Sequence, residues 1–160
     1  MNLANIHVRR NLDKAIECAE KERPNFVAHY IREALFESAE NVHSIQDFVE
    51  EAYRPILPLL LKGFNNACFS QDKYEFERYK KSLEDYQKLA GIKDLGEATL
   101  RIEYFLKNAE DLAEYGKRNE AKELVGFATS CATLTPTSNI HTRVDSIYKT
   151  CKTNKGKFYF

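Results

Sequence analysis

The chain has 160 residues, 43% of them hydrophobic and 30% charged, a composition that supports a packed core without disulfides or metals and excludes a disordered polymer. Its 24 basic side chains balance 24 acidic ones, so no net field draws the whole molecule to nucleic acid or to an anionic membrane. The near-apolar run 56–61 falls far short of the ~20 residues a membrane span needs, and the first residues follow neither a secretory nor a twin-arginine pattern.

Glycine and proline are scarce, and apolar residues recur at spacings of three and four, which predicts an all-α chain. A first helix is expected over 3–21, burying Leu12, Ala15, Ile16 and Ala19. Pro24 breaks it and opens a second, with Val27, Tyr30, Ile31, Ala34, Leu35 and Ala39 inward to about Val42. Ser44 is placed to cap a third, carrying Ile45, Phe48, Val49, Ala52 and Tyr53. Pro55 and Pro58 then interrupt or restart the helix, and 56–64 is apolar on every side, as at a bundle centre or an interface.

From Asp72 to Ala90 the stripe Phe76, Tyr79, Leu83, Tyr86 and Ala90 is a packing seam that Gly91 ends. Asp94 with Glu97 reads as a capping box for the next helix, whose inner face is Leu95, Ala98, Ile102, Phe105, Ala109 and Leu112. Gly116 closes it, and 120–132 supplies a partner through Ala121, Leu124, Val125, Ala128 and Cys131. A loop at 133–138 precedes a last helix with Ile140, Val144, Ile147 and Cys151 inward. The expected architecture is a compact all-α bundle of seven to eight helices built from antiparallel helical hairpins. It forms one domain over 1–151, followed by a basic and aromatic tail over 152–160.

Two stretches repeat each other. Leu12, Ala15, Ala19, Glu20, Asn25 and Ala34 recur 94 residues later as Leu106, Ala109, Ala113, Glu114, Asn119 and Ala128, six identities over 27 aligned positions. Each stretch places small residues at helical spacing on both sides of a polar break, the pattern of two helices in close approach. Within 109–136, Ala109, Leu112, Gly116, Ala121, Val125 and Ala128 resemble a tetratricopeptide-type hairpin. The resemblance implies a helical pair that binds peptide segments of other proteins.

Several constellations bear on chemistry. Glu40 and His43 reproduce the E-x-x-H step of di-iron carboxylate bundles, but no second such step occurs, and the pair reads as a polar helix end. His29 and Glu33 stand one turn apart with no third His or Cys nearby. Arg23 and His29 resemble the Arg-x4–6-His spacing of small helical ribonucleases, where a guanidinium and an imidazole meet at a dimer interface. That likeness implies an RNA-cleaving enzyme or nucleic-acid binder as the alternative function.

Lys73, Arg78, Lys80, Lys81 and Lys88 alternate with Tyr74, Tyr79 and Tyr86, but Glu75, Glu77, Glu84 and Asp85 cancel the charge, so a solvated helix is expected. Cys18, Cys68, Cys131 and Cys151 form no C-x-x-C pair and read as free thiols of a reducing compartment. The closing Lys155-Gly156-Lys157-Phe158-Tyr159-Phe160 is expected to dock on its own or a twin subunit. Taken together these residues predict a soluble, cytoplasmic, non-catalytic protein-interaction or assembly module. It is expected to form a homodimer or to bind a protein partner, and no catalytic, metal or cofactor residues are assigned.

Overall fold

Spacings of three and four give each segment a single face to bury, and every regular element among the described residues is accordingly helical. The computed structural model describes residues 3–38 and 54–153. They form α1 (Leu3–Glu20), α2 (Pro24–Ser38), α3 (Ile56–Ser70), α4 (Lys73–Ala90), α5 (Gly96–Glu114), α6 (Arg118–Cys131), a 3-10 turn (Ala132–Leu134) and α7 (His141–Thr153). The helix expected at 45–53 and the aromatic end of the tail lie outside the described residues. The helices group into two compact units, Met1–Lys93 and Asp94–Phe160.

In the first unit α1 packs on α2, α2 on α4, α4 on α3 and α3 on α1. Leu12, Ala15, Ile31, Ala34, Leu60, Phe64 and Leu83 are fully buried at its centre. The tie between α2 and α4 is partly polar. Ser82 Oγ donates to the Pro24 carbonyl at 2.7 Å, and Arg78 Nε donates to Asn25 Oδ1 at 2.9 Å. Between α3 and α4, Phe64 and Phe76 pack with ring centroids 5.3 Å apart.

In the second unit α5 packs on both α6 and α7. Phe105 and Phe127 stack at 5.1 Å, and Arg143 of α7 bonds both Glu103 and Glu110 of α5. The capping box expected from Asp94 and Glu97 does not form. Leu95 is the N-cap residue and makes no side-chain cap bond. Asp94 Oδ1 instead accepts from Thr135 Oγ1 at 3.2 Å and from the Thr137 amide at 3.1 Å, tying down the turn after α6. The loop expected at 133–138 is therefore partly core, with Leu134 and Thr135 buried.

The repeat is structural. α1 ends at Glu20 and α5 at Glu114; α2 starts at Pro24 and α6 at Arg118. The turns between them share their two closing bonds. Arg23 donates its amide to the Cys18 carbonyl at 2.9 Å, as Lys117 does to Leu112 at 2.9 Å. Glu22 donates to Ala19 at 3.1 Å, as Gly116 does to Ala113 at 3.1 Å. Glu22 (φ 57) and Gly116 (φ 75) both occupy the left-handed region, so each turn is a Schellman closure. The shared apolar residues Leu12/Leu106, Ala15/Ala109, Ala19/Ala113 and Ala34/Ala128 are all buried.

Ala109 and Ala128 are fully buried within the α5–α6 hairpin, so a larger side chain there has no space. Ala109→Leu or Ala128→Leu is expected to lower stability by about 1–3 kcal/mol through overpacking, measured by urea denaturation. Gly116→Ala, which forces a Cβ into the left-handed region, is expected to cost about 1–2 kcal/mol in the same assay.

Candidate functional site

The first unit contains a cavity of about 330 Å³ where the α1–α2 turn faces α3 and the start of α4. Glu22, Asp72 and Glu75 bring three carboxylates to its wall, and Asn66, Gly63 and Tyr79 line it beside them. Local structure fixes each position. Glu22 is the left-handed residue of the Schellman turn. Asp72 is the N-cap of α4, its side chain accepting from the Glu75 amide at 3.1 Å. A Cβ at position 63 would fall 2.6 Å from Tyr79 Oη, so only glycine lets the phenol lie against α3.

Tyr79 is 8% exposed. Burial pushes its ionisation upward, with Glu75 and Glu22 adding to the effect, so the group stays a neutral phenol. Glu75 Oε1 holds the Arg78 guanidinium at 2.5 Å. No described cation forms an ion pair with Glu22 or Asp72. Gln71 (φ 55), which precedes Asp72, is the other non-glycine in the left-handed region among the described residues. Glu22 lines the cavity, and Gln71 lies in sequence between two of its lining residues, Ser70 and Asp72.

The residues singled out by sequence lie elsewhere. Arg23 sits in the turn before α2 and His29 within it, both exposed. Arg23 lies outside the helix that carries His29, and no hydrogen bond or ring contact joins this pair. His29 instead meets Tyr30 edge-on at 5.1 Å. His29 and Glu33 both face solvent on α2. Among the described residues no group of three His, Cys, Asp or Glu side chains could hold a metal ion. Glu40 and His43 lie outside the described residues.

On α4, Tyr79 and Tyr86 are buried, while Tyr74 is exposed with the Arg78 guanidinium 5.1 Å from its ring centre. Lys80 lies 3.8 Å from Glu77 and 3.7 Å from Glu84. Cys18, Cys68, Cys131 and Cys151 are free thiols, all but Cys18 buried. No helix among the described residues is long and apolar enough to cross a membrane.

Sequence reasoning missed Glu22, Asp72, Glu75 and Tyr79 as a group. Tyr79 reads as one more seam residue, and nothing in the spacing marks it as part of a cavity wall. Comparison with protein-family models, curated proteins and solved structures finds no match to this chain.

One buried charge has a definite electrostatic signature. Asp85 of α4 is buried and bonds Arg32 of α2 at 3.0 Å. Burial holds its carboxyl above the usual range, and Arg32 opposes the shift. A raised acid contributes its stability below the unfolded carboxylate pKa of ~3.9 and loses it as pH rises through the folded value. Arg32→Ala removes the opposing cation, so its cost is expected to be small near pH 4 and to grow towards pH 7. Arg32 is partly solvated, which limits that cost to about 1–2 kcal/mol in denaturation curves at the two pH values.

Proposed function

We propose that the chain is a non-catalytic assembly module that pairs with a second copy of itself, in the cytoplasm, through the outward face of α2. One observation carries this reading. Phe26 is 54% exposed and Phe36 79% exposed, although the opposite face of the same helix is fully packed. A helix with apolar residues on both faces belongs at an interface.

The face is also self-complementary. Phe26, His29, Glu33 and Phe36 share one side of α2 at helical spacing. Two such helices lying antiparallel about a twofold axis set Phe26 against Phe36 of the second copy and His29 against Glu33. That reciprocity is what an isologous dimer requires. The four free thiols accord with a reducing compartment.

Sedimentation velocity at about 10 and about 100 μM tests the reading. The wild-type chain is expected to dimerise, and Phe36→Ser to weaken dimerisation at least about tenfold without lowering the melting temperature. His29→Glu sets two acids together and is expected to weaken it as well; adding Glu33→Lys restores the pairing. A wild-type chain that stays monomeric at the higher concentration overturns the proposal.

A further inference from the structure

We propose that the pairing surface continues from α2 onto α4, where Phe26, Arg78 and Tyr74 form a notch that receives Phe36 of the second copy. This notch presupposes the α2 pairing proposed above and adds a second helix to it. Three rings define the patch. Phe26 and Phe36 of α2 and Tyr74 of α4 all stand in solvent, Tyr74 at 67% exposure. At the positions matching Phe26 and Phe36 the second hairpin has Glu120 and Ser130, so the hairpin fold itself asks for no aromatic there.

Arg78 joins the two helices into one surface. Its Nε donates to Oδ1 of Asn25, the chain neighbour of Phe26, at 2.9 Å. Its guanidinium also lies 5.1 Å from the Tyr74 ring centre, and Glu75 holds it from a third side. These contacts fix the guanidinium while a quarter of the side chain stays in solvent. An aromatic ring laid on a cation already held in place gains a cation–π contact without the entropy cost of ordering the arginine.

Helix geometry brings Phe36 to this spot. It follows Asn25 by eleven residues, about three turns, so both side chains leave α2 in nearly the same direction. Asn25 points to α4, as its bond with Arg78 shows. Phe36 therefore stands on the α4 edge of the outward face, with Phe26 about 80° away around the axis. A twofold axis between antiparallel helices reverses position along the helix but keeps each residue on its own edge. Phe36 of the second copy thus arrives level with Phe26 yet on its α4 side, between Phe26 and Tyr74. Symmetry makes two such notches, one at each end of the paired helices.

The test is sedimentation velocity on the full chain at about 10 and about 100 μM. Tyr74→Ser is expected to weaken dimerisation at least about fivefold, and Tyr74→Phe, which keeps the ring, to leave it within about twofold. Both are expected to retain the wild-type helical signal in circular dichroism. Proximity is read separately, by mixing a Phe36→Cys chain with a Tyr74→Cys chain and adding a short bis-maleimide. A link between positions 36 and 74, identified by mass spectrometry and absent when either chain is treated alone, is the expected result.

Unchanged dimerisation in Tyr74→Ser, or no 36–74 link in a mixture that does dimerise, overturns the notch and leaves α2 pairing standing. A wild-type chain that stays monomeric at the higher concentration overturns the pairing, and the notch with it.

Discussion

The structure depends on the hydrogen bond by which a helix that has ended reaches back across its own last turn. In each hairpin the amide three residues past the helix end returns to a carbonyl within it, from Arg23 to Cys18 and from Lys117 to Leu112. That bond forms only if the intervening residue turns left-handed. Once it does, the chain reverses in three residues and the next helix starts at once against the previous one. The same closure recurs where α3 ends, with Asp72 bonding Ala67 at 3.1 Å, and where α4 ends, with Ile92 bonding Gln87 at 2.9 Å.

Short reversals make the seams between helices matter. A helix pair joined by so tight a turn cannot splay, so the facing residues must be small. Ala15, Ala19 and Ala34 meet that need in the first unit, and Ala109, Ala113 and Ala128 in the second. Around this shared element the units differ. The first adds α3 and α4 with buried polar ties at Ser82 and Asp85, and the second adds α7 with a charged clamp on the surface of α5. The first also sets acidic residues around a cavity.

Much of the fold was legible because period and punctuation agree. Gly91 and Gly116 stop helices as expected, and of the stripe Phe76, Tyr79, Leu83, Tyr86 and Ala90 the first four are buried, while Ala90 at the helix end is half-buried. Alanine identities at a fixed offset correctly marked two equivalent hairpins. Asp94 misled, because a carboxylate before a helix suits a cap and a tertiary anchor equally, and only the distant Thr135 and Thr137 decide between them. Glu22 and Gln71 gave no signal, since neither residue type advertises a left-handed backbone. The cavity was invisible for a related reason: its acids come from separate segments, and each alone looks like an ordinary surface charge.

Arg143 has a mechanical consequence. Its fork engages Glu103 and Glu110, which lie two turns apart along α5, with Nε donating to Glu110 Oε1 at 3.1 Å. Sliding α7 along α5 by one turn, about 5.4 Å, would bring the guanidinium past one acid without reaching an equivalent pair. Two anchors on a single rigid plane act as a vernier, where one charge pair would tolerate slippage. Ile147 and Cys151 therefore meet the core at a single axial setting, chosen by a contact at its solvent edge.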